Sequence, residues 1–363
     1  MGSVMKKTLL ILLLASFLSL GIATCSAQDA AKLEFSVMSY NVRFKFMDHI
    51  KGGDGKLHPW KDRRDGVVAA IEERNPDILG LQECIAVQQK YLVGKMKTYV
   101  LQASTNTPIM WKRARFAKVD AGNTPLPPLG RYGGGRRLDW VHLRERETKT
   151  DVFVFNMHYS PGLKEPERVK ICKFTADFIN KTAGKDKLAI LTGDLNIHSE
   201  RTEGIQILRD VAKLADPWTD TGASQKSIGG LWGKKPWSGT TIDWILYRRP
   251  LRALKVERPT LKWQGEFPSD HLPVYTELST SKAANPTARP ANGASQNNAP
   301  AGPARETSYA LYRKRLLCNG LRHGMRLPAV GSRTQGRLSG PNPSKKGGKK
   351  RIRACFLSVV VVY

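Results

Sequence analysis

The sequence predicts an α+β domain in which β-sheets are covered by helices. Three observations carry that expectation. Short apolar runs recur along the chain, helical stripes interrupt them irregularly rather than in strict strand–helix alternation, and polar residues cluster just after the strand ends. That last feature lets side chains from separate strands converge on one site.

In chain order, Phe35–Val42 is a strand pattern ending in polar residues. A helix is expected at about Arg63–Arg74, where Val67, Val68, Ala70 and Ile71 make one apolar stripe. Asn75-Pro76 stops it, because the residue before a proline is pushed out of the helical region. Ile78–Leu81 and Ile109–Lys112 read as strands. A Pro/Gly-rich loop is expected from Asn123 to Gly135; its glycines 133–135 have no helix start behind them and so make no phosphate cradle. Leu138–Leu143 and Val152–Met157 form a hairpin around the polar Arg144–Thr150 turn. A second helix fits Glu165–Asn180, with Val169, Cys172, Ala176 and Ile179 on one face. Leu188–Leu191 is an apolar strand leading into Thr192-Gly193-Asp194-Leu195-Asn196. A third helix fits about Thr202–Lys213, and Thr241–Tyr247, Leu251–Val256 and Leu272–Leu278 close the set as strands.

Composition divides the 363 residues into three stretches. Residues 1–27 read as a signal peptide: Lys6 and Lys7, then apolar Thr8–Ala23, then small residues up to Ala27. The protein is therefore expected to be exported, periplasmic or secreted. The apolar stretch is short of the ~20 residues of a spanning helix. An uncleaved anchor and a lipid on Cys25 are the alternatives, and Thr24 suits the lipid poorly. Residues 28–280 are long enough for one core and contain no repeat. Residues 281–363 form a basic low-complexity tail, expected to be disordered because it has little apolar surface to bury. That tail carries sixteen Lys and Arg against Glu306 alone, more than half of the +28 net charge. The total charge therefore says little about a nucleic-acid partner, although the body stays basic enough for a phosphate-bearing substrate.

Of five cysteines, only Cys84 and Cys172 fall in the body. They make neither a disulfide framework nor a zinc spacing. Two buried thiols are expected, with a single bridge as the alternative.

Six short strings carry the chemistry: Ser39-Tyr40-Asn41, Leu81-Gln82-Glu83, Asn156-Met157-His158, Gly193-Asp194-Leu195-Asn196, Ile242-Asp243-Trp244 and Ser269-Asp270-His271. Each sets a polar group at the mouth of an apolar strand, where burial without partners costs several kcal/mol. The available oxygen donors are Asn41, Glu83, Asp194, Asn196 and Asp270, a set that suits Mg2+ or Mn2+. His142 and His198 read as bystanders, and Arg137 as a side chain that faces phosphate.

In this order the strings resemble the endonuclease/exonuclease/phosphatase (DNase I-like) superfamily, over about Leu33 to Leu278. The resemblance implies a four-layer αββα sandwich: two mixed sheets packed face to face, helices outside, and the site at one edge. It also implies metal-dependent hydrolysis of phosphate esters. Glu83 and Asn41 then correspond to the metal-binding pair, and Asp270 to a further metal-site acid. His271 corresponds to the general base, oriented by Asp243. Asp194 and Asn196 position the nucleophile and the phosphate oxygens. His158 stabilises the transition state or assists the leaving group. Trp60 and Arg63 match a tryptophan–arginine pattern of bacterial members, with helix-start packing and a solvated arginine as the alternative. The short stretch from Lys97 to Arg136 departs from the family's long loops and weakens a case for duplex DNA. Nucleic acid, a phospholipid head group and a sugar phosphate all remain open as substrates. Trp232 and Trp237 would be the membrane-inserting pair of a lipid esterase, but loop packing is the preferred reading. A monomer without an obligate protein partner is expected, and the alternative to an enzyme is a non-catalytic phosphate-ligand binding module on the same fold.

Overall fold

The structure, a computed structural model, describes residues 32–130, 134–198, 202–224, 226–229, 231–232 and 237–280. The expected signal peptide 1–27 and basic tail 281–363 lie outside the described residues. Fourteen strands and five α-helices run β1 (Glu34–Asn41), α1 (Trp60–Arg74), β2 (Ile78–Gln82), α2 (Ala86–Lys95), β3 (Tyr99–Gln102), β4 (Ile109–Lys112), β5 (Phe116–Pro125), β6 (Arg137–Glu145) and β7 (Asp151–His158). They continue as α3 (Glu165–Ala183), β8 (Leu188–Asp194), α4 (Glu203–Val211), β9 (Leu214–Ala215), α5 (Pro217–Thr221), β10 (Lys226–Gly229), β11 (Trp237–Thr240), β12 (Asp243–Arg248), β13 (Arg252–Glu257) and β14 (Val274–Ser279).

Two six-stranded sheets result, ordered β13-β14-β1-β2-β4-β3 and β5-β6-β7-β8-β12-β9. Both are mixed: β1 and β2 pair in parallel, as do β7 and β8, and the other neighbours are antiparallel. Side chains alternate across a strand, so each sheet has two faces to bury. Val37, Ile78 and Trp111 from one sheet meet Val141, Val154, Ile190 and Ile245 from the other between the layers. The alternate residues Met38, Leu79 and Met110 pack outward on Val67 and Ile71 of α1 and Leu92 of α2. Phe155, Leu191 and Trp244 pack on Cys172, Ala176 and Ile179 of α3 and Ile205 and Leu208 of α4. This is the expected αββα sandwich. Cys84 and Cys172 are free, buried thiols in the outer layers of opposite sheets, which rules out the bridge.

Along the inner face each central strand changes from apolar to polar in steps of two. The rows read Val37, Ser39, Asn41 on β1; Ile78, Gly80, Gln82 on β2; Val154, Asn156, His158 on β7; Ile190, Thr192, Asp194 on β8; and Ile245, Asp243 on β12. The dry core therefore gives way to a hydrogen-bonded floor. Gln82 Nε2 donates to Asn156 Oδ1 (2.8 Å), Thr192 Oγ1 donates to the same oxygen (3.0 Å), and Asn156 Nδ2 reaches Leu81 O and Pro108 O. The sheets close tightly here. A Cβ on Gly80 would meet Thr192 Oγ1 at 2.0 Å, so only glycine fits.

Several elements were not expected, α2, β3, β5, β9, α5, β10 and β11 among them. In α2 the buried residues are Gln88, Gln89 and Leu92; a face made mostly of amides gives no apolar stripe. β3 and β5 are edge strands, and in β5 only Phe116 is buried. β5 also takes up Asn123–Pro125, the start of the expected loop.

Candidate active site

The site forms where the polar ends of the inner rows open to solvent. Asn41, the last residue of β1, donates from Nδ2 to both Glu83 Oε1 (3.3 Å) and Asp194 Oδ2 (3.1 Å). One amide from the first sheet thus ties an acid just past β2 to an acid at the end of β8. Asn41 Oδ1 accepts from the backbone of Arg43 (3.0 Å). Glu83 Oε2 accepts from Phe44 N (3.0 Å). Arg43, Glu83 and Asn196 all lie at left-handed φ, +52°, +56° and +49°. Non-glycine residues pay roughly 1–2 kcal/mol for that conformation, and such strain concentrates at functional sites.

His271 follows Asp270 in the connection before β14. Its Nδ1 donates to both oxygens of Asp243, at 3.1 and 3.0 Å, and its Nε2 points at Asp194 Oδ2, 3.9 Å away. Burial disfavours its charge, but Asp243, then Asp194 and Asp270, outweigh that and hold its pKa well above the ordinary value. His158 Nε2 lies 3.5 Å from Asp194 Oδ2 and 3.9 Å from Glu83 Oε1. Burial first, then Arg136 and His271, holds its pKa well below the ordinary value, so this ring is neutral. Burial and neighbouring acids raise Glu83 and Asp194, with Asp270 the main acid acting on the first and Asp243 on the second.

The structure brings Asn41, Glu83, His158, Asp194, Asp243 and His271 together. Asn196 borders the same cleft, but its Nδ2 donates to Tyr159 O (3.0 Å) while its backbone N caps Asp194 Oδ1 (2.9 Å). Asp270 sits beside them with its Oδ2 paired to Arg43 Nη1 (3.1 Å). Asp194, Asp243 and His271 offer ligand atoms within 4.8 Å of one another, but Asp243 and His271 are already bonded to each other. Glu83 lies beside them, bonded by Asn41 Nδ2 and within the electrostatic reach of Asp270.

Other expectations need correction. Arg137 bonds Asn123 at the surface and does not face the site. Its neighbour Arg136 does: it lines the cleft, bonds His158 O (2.8 Å) and feels the charge of Glu83 and Asp194. Arg63 is buried, and its guanidinium donates to the carbonyls of Val42, Arg43, His58 and Pro268. It welds the site loops together and is not the solvated arginine of the alternative reading. Trp232 is buried against His58 (ring centroids 4.0 Å apart) and under the Arg43 guanidinium (4.9 Å), consistent with loop packing. The side chain of Trp237 lies outside the described residues. His142 stacks on Phe153 in the outer layer, away from the site. Arg43, Arg136 and the aromatic pair Phe44 and Phe46 had no place in the sequence reading. Only the position of Arg43 and Phe44, directly after the Asn41 string, hinted at them.

Four layers with acids and histidines converging at one edge make a DNase I-like sandwich. The sequence profile of the Endonuclease/Exonuclease/phosphatase family matches residues 38–271, and the chain belongs to that family. The structure is similar to an endonuclease/exonuclease/phosphatase family protein from Bacteroides thetaiotaomicron, with a TM-score of 0.58 and 20% identity over 68% of this chain and 95% of that one. It is similar to the mannosyl-6-phosphatase of the same organism (TM-score 0.56, 20% identity, 67% and 99% covered). It is also similar to D. rerio TDP2 complexed with a single-strand DNA product (TM-score 0.54, 20% identity, 68% and 98% covered). At these identities the likeness is one of fold. An uncharacterized protein of Acanthamoeba polyphaga mimivirus is 24% identical over 164 residues, 39% of this chain, and the match spans 60% of that protein's length.

Proposed function

We propose that the chain is an exported, divalent-metal-dependent phosphoesterase that hydrolyses a phosphodiester or phosphomonoester with a histidine-activated water. One observation carries this reading: a single amide, Asn41, holds Glu83 and Asp194 together while the Asp243–His271 pair faces the same Asp194.

The chemistry of the donor set fits a hard cation. Four carboxylates, Glu83, Asp194, Asp243 and Asp270, gather in one corner, and burying that much negative charge is costly. Oxygen donors of this kind suit Mg2+ or Mn2+. Glu83, Asn41 and Asp270 would hold it, since Asp243 is committed to His271. When bound, the cation would neutralise phosphate charge and steady the leaving oxygen.

The chain's own residues do the rest. Asp194 and Asn196 position the attacking water. In its neutral form His271 accepts the water proton at Nε2, and Asp243, which holds the ring's tautomer, favours with Asp194 and Asp270 the imidazolium that forms. His158, kept neutral, offers an N–H to the phosphoryl oxygens or the leaving group, with the Arg136 cation beside it.

Hydrolysis of a generic phosphodiester and a phosphomonoester, with Mg2+ and then with chelator, tests the proposal. His271→Ala is expected to lower kcat about 10²–10⁴-fold, and chelator to remove activity. Turnover that ignores the chelator, or survives loss of His271, overturns it in favour of a binding module. Export rests on the Lys6–Ala27 pattern. N-terminal sequencing of protein recovered outside the cytoplasm should begin near Gln28, and a chain retained in the cytoplasm with Met1 intact contradicts that part.

A further inference from the structure

Asp243 stands directly opposite Asp194 on neighbouring strands, and the two are only 3% and 2% exposed. Like charges set across a strand pair repel, and burial removes the water that would screen them. His271 bonds both Asp243 oxygens. In the neutral form that accepts a proton, however, the ring cancels no charge. A lasting counter-charge has to come from another side chain.

Arg258 is placed to supply it. It directly follows β13, the edge strand of the first sheet, and reaches Thr241, two residues before Asp243 at the start of β12 in the second. Its Nη2 donates to the Thr241 hydroxyl. That oxygen also accepts from Asp243 N (3.0 Å) and donates to Asp243 O (2.6 Å). The hydroxyl therefore clamps the Asp243 backbone at both its polar groups, and Thr241 is fully buried, so water does not replace the clamp. The guanidinium carbon lies 5.8 Å from the centre of the Trp218 ring. Burial disfavours the charge of Arg258, and Asp243 is the acid that favours it. Its Nε is buried with no hydrogen-bond partner among the described residues. An unmade buried donor lowers stability, and an apolar side chain that merely packed on Trp218 would avoid that penalty.

We infer that Arg258 is a positioning residue of this site: through Thr241 it fixes Asp243, and its charge balances the Asp243 carboxylate while the His271 ring is neutral. A guanidinium suits the task because it stays charged at every working pH, whereas the charge on the ring comes and goes. The effect on turnover rests on the phosphoesterase reading above; the effect on His271 does not.

The proton resonance of His271 Nδ1–H tests this without substrate, cation or turnover; its loss in His271→Gln assigns it. Arg258→Met removes the charge and the bond to Thr241 but keeps an unbranched stem. It should shift that resonance or let the proton exchange away with water. It should also lower kcat about 10–100-fold with KM nearly unchanged. Arg258→Lys keeps a charge and a donor and should restore most of both. Thr241→Val breaks the link and should reproduce the effects of Arg258→Met. The double variant should be no worse than the worse single one, since residues acting through one another are not additive. A guanidinium that only packs on Trp218 would lower the Tm of Arg258→Met and leave the resonance and kcat at wild-type values, which overturns the inference. Additive losses in the double variant overturn the route through Thr241. Where Arg258→Met does not fold, Thr241→Val decides, and wild-type values for it overturn the inference. A resonance that responds as expected in a chain that hydrolyses no ester upholds Arg258 and counts against the phosphoesterase.

Discussion

Asp139 shows how a single buried side chain can be tested apart from catalysis. It lies on the inner face of β6, 3% exposed, and accepts from the Thr107 hydroxyl. Burial pushes its pKa from 3.8 up to about 6, against the lowering effect of Thr107, Ser104 and Arg137. A carboxyl raised in the folded state contributes fully below its unfolded pKa and loses that contribution as pH rises through the folded value. Asp139→Asn has no charge to bury, so it should gain on the wild type between about pH 4 and pH 6. Denaturant unfolding at pH 4, 5, 6 and 7 checks this, and parallel stability curves contradict it. At this scale the sequence was readable where a polar residue ends an apolar strand, as at Asn41, Glu83, His158, Asp194, Asp243 and His271. Arg43 and Arg136 were not readable, because two arginines among 59 Lys and Arg carry no signal until the fold buries them beside acids. Arg137 was preferred to its neighbour for the same reason: Arg136 lies just before β6, where no strand pattern tells that its side chain reaches the cleft.

At the scale of elements, the site depends on inner rows that switch from apolar to polar in step across five strands. The floor beneath it can be broken in two ways. Gly80→Ala forces a methyl group onto Thr192 Oγ1, and overpacking of this kind should destabilise by about 1–3 kcal/mol. Asn156→Ala leaves Gln82 Nε2, Leu81 O and Pro108 O short of a partner, at about 1–3 kcal/mol for a buried orphan. Urea unfolding of both variants measures these effects, and wild-type midpoints would mean that the floor does not join the sheets. The central strands were legible because both faces are buried, which makes their sequences continuously apolar. α2 was not, since it buries Gln88 and Gln89 for hydrogen bonds to Arg43, Cys84 and Ser104. β3 and β5 were missed because an edge strand is held largely by backbone pairing, to which side-chain patterns are indifferent.

At the scale of the whole molecule, the two sheets set the proposed cation site of Glu83, Asn41 and Asp270 against Asp194 and the Asp243–His271 pair. Such a gathering should weaken the fold when no cation is present, since Glu83 is raised by burial and by Asp270. Stability and metal affinity should therefore trade off at the same residue. Thermal unfolding of wild type and Glu83→Gln, in chelator and across a Mg2+ titration, measures this most directly. In chelator the variant should melt higher than the wild type, because it removes a buried like charge. With Mg2+ the wild type should rise as RT ln(1 + [Mg2+]/Kd) while the variant stays flat, which narrows or reverses the order. A wild-type Tm that does not move with Mg2+ or Mn2+, or a Glu83→Gln variant that gains as much as the wild type, contradicts the proposed cation site.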